Sequence, residues 1–165
     1  MYYNISDFKN DWAYESQATM KVLNNITDES LNQKVYDDGR TLGILAWHLV
    51  TSLQSMPAHA GILPQTVTNT DVPKNAKTIV AEYDKASKVL INALAEKWTD
   101  ESLKDEIQMY GQTWKKGNVL TSIILHQTHH RGQITVFMRQ AGLKVPGVYG
   151  PSREEWVSMN MKSPQ

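Results

Sequence analysis

Three of the five histidines in this chain lie within the short segment LHQTHHRGQ, residues 125–133. On a helix, His126 and His130 are one turn apart and separated by about 40° in projection, so both rings lie at the edge of one face. The ring of His129 is about 100° from that of His130, which predicts a surface position or a supporting role. The spacing therefore predicts that His126 and His130 share a ligand, although such pairs also occur on many unrelated helices.

A third histidine, His48, lies on an earlier predicted helix, about 40° from Ile44 in projection and directed at the same core. His59 projects in nearly the same direction as His48, but it lies beyond a proline and about 16 Å further along the helix axis. It is therefore not expected to join the same site. The earlier helix contributes one inward imidazole and the later helix contributes two.

Three inward imidazoles are costly to bury without partners, because each ring carries two polar nitrogens. A divalent metal ion bound by His48, His126 and His130 would remove that cost, and three histidines with an open fourth position are typical of catalytic zinc. The alternative is a set of histidines at the edge of the core, each hydrogen-bonded to a tyrosine, a serine or a backbone carbonyl. The residues alone leave both interpretations open.

The chain contains no cysteine. This excludes a disulfide scaffold, a cysteine nucleophile and any zinc or iron–sulfur site with cysteine ligands. A thiol nucleophile would have to come from a cosubstrate. Hydrolysis of the zinc-protease type is disfavoured, because Gln127 occupies the place of the glutamate in the motif His-Glu-x-x-His and an amide does not accept a proton.

Three further residues have two interpretations each. Gln133 either orients a bound water or ligand, or is a polar residue at the wet border of its helix. Arg131 either binds a carboxylate of an anionic substrate or is exposed, and exposure is the expected state. Tyr149, in a tail rich in Gly and Pro, either covers the entrance of the site or packs the C-terminus onto the rest of the chain.

Apolar residues recur at helical spacing in four long segments, and strand patterns are almost absent. The predicted helices comprise residues 6–24, 41–56, 74–97 and 118–141, with a short helix at 151–159 and a connection rich in Thr, Pro and Asn at 61–73. The expected N-caps are Ser6, Thr41 and Asn118. The residues expected to end helices are Pro57, Gly61 and Gly142. This pattern predicts an all-α four-helix bundle with a crossover connection and a short C-terminal helical tail, in a single domain of residues 1–165.

The sequence TDESL occurs twice, at residues 27–31 and 99–103, each time between one predicted helix and the next. Threonine followed by acidic residues suits a helix start, because Thr accepts a backbone N–H and acidic groups favour the N-terminal end of a helix. One interpretation is a helix-start sequence that arose twice. The other is a bundle of two related helix pairs, in which the second and fourth helices occupy equivalent places and both carry histidine.

Lys and Arg together number 17, as do Asp and Glu, so the formal net charge is zero. A chain with neither excess positive charge nor a basic stripe is not expected to bind nucleic acid. No apolar run approaches the roughly 18 residues of a membrane span, and the first residues lack a basic segment followed by an apolar one. We therefore expect a cytoplasmic protein with no membrane partner.

Three motifs and the overall length resemble the DinB-like family, which is also grouped with the YfiT-like metalloenzymes: LAWHLV at residues 45–50, HQTHHRGQ at 126–133 and GVYGPSREEW at 147–156. The resemblance covers nearly the whole chain, and the histidine-rich motif followed by Arg-Gly-Gln is its most specific part. It implies a four-helix bundle that binds a divalent metal, often zinc or nickel, through three histidines, which by motif are His48, His126 and His130. The family is distinct from the translesion polymerase of the same name.

The resemblance also implies a range of functions. Some relatives are thiol-dependent transferases or isomerases that use low-molecular-weight thiols such as bacillithiol, mycothiol or glutathione, and many members form homodimers. We therefore expect a divalent-metal-binding protein that acts as a metal-dependent enzyme on a small-molecule substrate, with thiol-dependent S-transfer as the specific reaction. The alternatives are a non-catalytic metal-binding stress-response protein and a metal-dependent hydrolase. An open coordination position beside an apolar pocket would favour catalysis, and a fourth protein ligand would favour a structural metal.

Overall fold

Four long helices and one short helix make up most of the fold in the computed structural model, which describes residues 1–65 and 71–163. The helices are α1 (Ile5–Leu23), α2 (Leu42–His59), α3 (Ala76–Lys97), α4 (Lys116–Gln140) and α5 (Arg153–Ser158). Two short 3-10 helices, Glu29–Asn32 and Glu101–Lys104, follow α1 and α3, and the strands β1 (Glu106–Met109) and β2 (Gln112–Lys115) precede α4. None of the helices in these described ranges is long and apolar enough to cross a membrane.

The packing of the long helices places α1 diagonally opposite α2, and α3 diagonally opposite α4. Helix α1 packs against α3 and α4, and α2 packs against the same two helices. The chain therefore crosses an end of the bundle between α1 and α2, and again between α3 and α4. Buried side chains from all four helices form the core, among them Trp12, Leu49, Tyr83 and Ile123. The predicted all-α four-helix bundle with a crossover and a short C-terminal helix is confirmed.

Two of the predicted N-caps, Ser6 and Asn118, are wrong by a few residues. Helix α1 begins after Asn4, whose side-chain oxygen accepts the backbone N–H of Asp7 at 2.7 Å, so Ser6 lies inside the first turn. Helix α4 begins at Lys116 directly after β2, and Asn118 lies within it. The start of α1 is set by a capping residue two positions earlier than predicted, and the start of α4 is set by the end of the preceding strand.

The stops are closer to expectation, with one exception. Thr41 caps α2 as predicted, and Gly61 and Gly142 follow the ends of α2 and α4 with φ angles of 74° and 72°, a conformation that glycine adopts without strain. Pro57, however, does not end α2, which continues to His59. The prediction of a connection at residues 61–73 includes residues 66–70, which lie outside the described residues.

The hairpin of β1 and β2 was not predicted. The strands pair antiparallel, with Ile107 opposite Trp114, and the two-residue loop Tyr110–Gly111 has positive φ angles of 52° and 74°. Such a loop is typical of a type I′ turn, which matches the twist of paired strands. The strands are only four residues long, and tyrosine replaces the Asn or Asp usual at the first turn position, so the pattern was too short to recognise.

Both TDESL segments fold into the same hydrogen-bonded turn. The hydroxyl of Ser30 donates to the carbonyl of Thr27 at 2.8 Å, and Ser102 donates to Thr99 at the same distance. Each segment begins a 3-10 helix and not the next long helix. The repeated sequence therefore specifies a turn that follows α1 and α3.

The aspartates of these turns connect the two halves of the bundle. Asp100, after α3, accepts the backbone N–H of Ile5 at the start of α1, and Asp28, after α1, accepts that of Ala76 at the start of α3, both at 2.7 Å. Each carboxylate also faces the positive end of the helix that it caps. Helices α1 and α3 are therefore antiparallel, and the reciprocal caps favour the interpretation of two related helix pairs.

Candidate metal centre

The structure brings together the three histidines that the sequence singled out. His48 projects from α2, and His126 and His130 project from α4, which packs against it. Their ring centroids are 5.0 Å apart for His48 and His126, 4.6 Å for His48 and His130, and 4.5 Å for His126 and His130. One ring nitrogen from each lies within 4.8 Å of the other two, which is close enough for all three to contact one ion. All three side chains are half-buried.

A buried amide fixes α4 against α2 beside these rings. Gln127, which is 1% exposed, donates from Nε2 to the carbonyl of Leu49 and to the hydroxyl of Ser52, both at 3.0 Å. Gln127 follows His126 directly, and Leu49 follows His48. The amide that replaces a protease-type glutamate therefore has a positioning role between the two helices that carry the histidines.

The protonation of the three rings suits metal binding. Burial, followed by the neighbouring histidines, lowers the pKa of His126 to about 4. Burial is also the largest cause that lowers the pKa of His48 and of His130. All three rings are thus neutral near pH 7, the form that offers a lone pair to a metal. Nδ1 of His126 is buried and has no hydrogen-bond partner among the described residues, an unsatisfied polar atom that a bound ion would account for.

Gln133 supports one of these histidines directly. Its Oε1 lies 2.7 Å from Nδ1 of His130, and because an amide oxygen only accepts, Nδ1 carries the proton in this contact. The lone pair of His130 is then on Nε2. Hydrogen bonds of this kind orient metal-ligating imidazoles and raise their basicity. Of the two interpretations of Gln133, the structure favours an orienting role, with His130 as the group it orients.

We expect Gln133→Ala to weaken zinc binding by about tenfold, because the variant loses the acceptor that fixes the tautomer and the orientation of His130. The measurement is competition between the protein and a chromophoric chelator for zinc. Gln140→Ala, at an exposed position at the end of the same helix, is the matched control and should bind zinc like the wild type. Equal affinity of the two variants would contradict the role assigned to Gln133.

The two remaining histidines lie outside the cluster, as predicted. His129 is exposed, and its ring centroid is 4.9 Å from that of His130. It does not belong to the group whose nitrogens lie within 4.8 Å of one another. His59 is exposed at the end of α2, where its Nδ1 lies 2.7 Å from the carbonyl of Ser55 and its ring lies against Tyr110. Neither is placed to share an ion with the other three.

The expectation that Arg131 is exposed is wrong. This side chain is buried between α4 and α1, at 2% exposure, and its Nη2 forms an ion pair with the carboxylate of Glu15 at 2.7 Å. Its Nη1 donates to the carbonyl of Glu15 at 3.0 Å and to the hydroxyl of Thr19 at 3.1 Å. Arg131 does bind a carboxylate, but the carboxylate belongs to the protein. This ion pair joins α4 to α1.

Tyr149 belongs to the same network. Its hydroxyl donates to the carboxylate of Glu15 at 2.8 Å and accepts from Arg131, and its ring stacks on Tyr14 with centroids 6.1 Å apart. The tail therefore packs on α1. Of the two interpretations of Tyr149, the structure supports packing of the C-terminus and not a cover over the histidines.

Two clefts adjoin the histidine cluster. The first, of about 420 Å³, includes His130, and the second, of about 390 Å³, includes His48. Among the described residues that line the two clefts there is no Asp or Glu, and most are apolar or aromatic. The first cleft is lined by Val35, Tyr36, Arg40, Leu45, His130, Gln133, Val136 and Phe137. The second is lined by Arg40, Ile44, Trp47, His48, Thr51 and Val72. The cluster is therefore accessible from two sides through surfaces that suit a small molecule.

Comparison with known proteins gives a consistent result. The family model described as "DinB family" matches residues 1–162. The chain is 40% identical to an uncharacterized protein, YrdA, of Bacillus subtilis strain 168, over 100% of this chain and 99% of that protein. A crystal structure of a DinB-like protein from Bacillus cereus ATCC 10987 shares 42% identity and a TM-score of 0.85, over 90% of this chain and 100% of that one. The DinB-like protein YjoA from Bacillus subtilis, at 18% identity and a TM-score of 0.68, covers 86% of this chain and 97% of its own and shares the fold.

Proposed function

The chain belongs to the DinB family, and on this premise we propose that it is a metal-dependent enzyme in which His48, His126 and His130 hold one divalent ion, either zinc or nickel. The observation that supports the proposal is the meeting of three neutral imidazoles from α2 and α4 with their nitrogens within 4.8 Å of one another. Imidazole nitrogens are ligands that both metals accept.

A catalytic use of the ion is favoured over a structural one. The group of possible ligands comprises the three histidines and, within the described residues, no fourth His, Asp or Glu. Structural zinc is normally bound by four protein ligands, whereas catalytic zinc keeps one position for water or substrate. The two clefts beside His48 and His130 would give a substrate access to that position.

The reaction that we propose is transfer of a low-molecular-weight thiol to an electrophile. A divalent ion bound here would lower the pKa of a thiol and favour its nucleophilic thiolate form. In the balanced reaction the thiol sulfur forms a bond to the electrophilic carbon, the bond from that carbon to its leaving group breaks, and the thiol proton and leaving group are released together. The absence of cysteine from the chain requires the sulfur to come from a cosubstrate.

The protein contributes position and environment to this reaction. The buried Gln127 keeps α2 and α4 in register, and Gln133 keeps the lone pair of His130 on Nε2. A hydrolase would gain from a carboxylate base beside the metal, and none lines either cleft in the part of the chain that the structure describes. For this reason we place thiol transfer before hydrolysis, and both before a non-catalytic metal-binding protein.

The experiment is a transfer assay with untagged protein loaded with zinc or with nickel. Glutathione and bacillithiol are supplied with an activated aryl chloride, and formation of the thioether and release of chloride are measured together. We expect metal-loaded wild-type protein to accelerate both above the uncatalysed rate, and His126→Ala to give no acceleration. Equal rates with metal-loaded wild type, with His126→Ala and without protein would reject the transferase proposal for these thiols.

A further inference from the structure

One arginine adjoins both clefts of the histidine cluster. Arg40 immediately precedes the N-cap of α2, and it is the one described residue that lines the cleft of His130 as well as that of His48. Its charge also acts on both rings: after burial and together with neighbouring histidines, the Arg40 guanidinium lowers the pKa of His48 and of His130. A permanent positive charge thus lies at the junction of the two routes to the cluster.

This arginine has no anionic partner among the residues that the structure describes. Within residues 1–65 and 71–163, Arg131 pairs with Glu15 and Arg139 pairs with Glu154, whereas Arg40 forms no ion pair. Asp37 and Asp38 lie in the same loop, but in the described structure neither pairs with Arg40 or lines a cleft. Arg40 therefore lines both clefts, and no described carboxylate occupies the N–H donors of its guanidinium.

The loop that carries Arg40 is held by its own hydrogen bonds. A bridge between Lys34 and Thr41 closes its base, and the backbone N–H of Leu42 donates to the carbonyl of Gln33 at 2.8 Å. Within the loop, the N–H of Gly39 donates to the carbonyl of Tyr36 at 3.0 Å. The backbone that places Arg40 is thus formed before any ligand arrives, which reduces the entropic cost of binding.

We propose that Arg40 is a substrate-binding residue that recognises a carboxylate on the small molecule, whose apolar body lies against Leu45, Val136 and Phe137 and whose reacting group faces His130. This inference rests on the proposed function for the position of the reacting group. With a divalent ion held by neutral histidines and no acidic residue among the described ones that line the clefts, the site would carry excess positive charge, which favours an anionic ligand. A single planar guanidinium matches the two oxygens of a carboxylate.

The test uses two probes that differ only in charge, 4-mercaptophenylacetate and its neutral amide. Dissociation constants are measured by two-dimensional NMR titration of the full-length protein, both zinc-loaded and metal-free. The variants are Arg40→Gln, Arg40→Lys and, as the matched control, Arg153→Gln, which removes an exposed arginine from α5 that lines neither cleft. Zinc content is measured in parallel by elemental analysis.

We expect the zinc-loaded wild type to bind the acid about tenfold more tightly than the amide, since charge-assisted hydrogen bonds are the stronger ones. Arg40→Gln should remove this preference, Arg40→Lys should retain part of it, and Arg153→Gln should retain all of it. A preference that survives in Arg40→Gln, or that is absent from the wild type, would overturn the proposal. If the protein binds neither zinc nor nickel, the proposed function fails. The role of Arg40 is then decided by the metal-free protein, which should still prefer the acid and should lose that preference in Arg40→Gln.

Discussion

Replacement of His126 by alanine is expected to weaken binding of zinc or nickel by at least about a hundredfold, because it removes one of three ligands. This effect is larger than that expected for the loss of a hydrogen bond that only orients a ligand. The three rings form a triangle in which His126 is 5.0 Å from His48 and 4.5 Å from His130 between centroids, and no other described imidazole belongs to this group. The measurement is elemental analysis of untagged, dialysed protein, followed by competition with a chelator. Wild-type protein should retain about one divalent ion per chain, and His126→Ala, like His48→Ala and His130→Ala, should retain none.

Two other histidines provide the controls. His59→Ala and His129→Ala remove exposed imidazoles outside the cluster, and both variants should bind metal like the wild type. If His59→Ala lost the metal while His48→Ala kept it, the assignment of the ligands would be wrong. Circular dichroism of each variant separates loss of the site from loss of the fold.

The pH dependence of binding gives an independent readout of the same site. A histidine ligand must be neutral, and an unperturbed histidine titrates near about 6.5. Burial and the neighbouring histidines lower the pKa of His126 to about 4, so protons compete with the ion only at lower pH than in an exposed site. We therefore expect occupancy to persist below pH 6.5 and to fall as the pH approaches 4. The lowered pKa also makes the folded metal-free protein bind fewer protons than the unfolded chain, so its stability should fall over the same window.

Arg131→Met is expected to lower the free energy of unfolding by about 3–5 kcal/mol, because it leaves the carboxylate of Glu15 buried without its cation. The two side chains are only 3% and 11% exposed, and the hydroxyls of Thr19 and Tyr149 lose a donor in the same variant. Denaturation of the metal-free protein by urea measures the change. Because this measurement uses protein without metal, the expected loss of stability does not depend on whether the histidines bind an ion.

A more exposed ion pair, which joins α4 to α5, provides the comparison for the buried one. Arg139 pairs with Glu154, with side-chain exposures of 42% and 34%, and Arg139→Met should cost no more than about 1 kcal/mol. The double variant Glu15→Met with Arg131→Met should recover part of the loss, since replacement of both charges removes the unpaired carboxylate. Equal stabilities of Arg131→Met and Arg139→Met would show that the buried pair does not join α1 to α4 as described.

The bundle and the cluster of histidines were predictable because both depend on helical periodicity. The spacing of His126 and His130 places them on one face of any helix, and the outward direction of His129 follows from the same geometry. The approach of His48 required only that α2 pack against α4 with its apolar face. The exact ends of the helices were less predictable, since Asn4 and Ser6 are both of residue types that cap helices, and Pro57 lies within the last turn of α2 without ending it.

The buried pair of Arg131 and Glu15 was missed for a different reason. Arg131 lies three residues before Ile134, and Glu15 lies three residues after Trp12, so each interrupts the apolar stripe of its helix. That position was the available signal, because one charge within an apolar stripe is costly to bury and two of opposite sign on different helices satisfy each other. Considered one at a time, each residue resembles an ordinary exposed charge. Only the packing of α4 on α1 makes them partners.

The reciprocal caps of α1 and α3 have a consequence for how the molecule opens. Because Asp28 and Asp100 each hold the first turn of a helix in the other half, neither helix start is able to fray without disturbing the turn that follows its partner. Local opening of one half is thereby coupled to the other, and amide hydrogen exchange in the long helices is expected to proceed through one cooperative event and not through separate units. The imidazoles on α2 and α4 would then keep their spacing for as long as the chain remains folded, so that the binding of an ion requires little reorganisation.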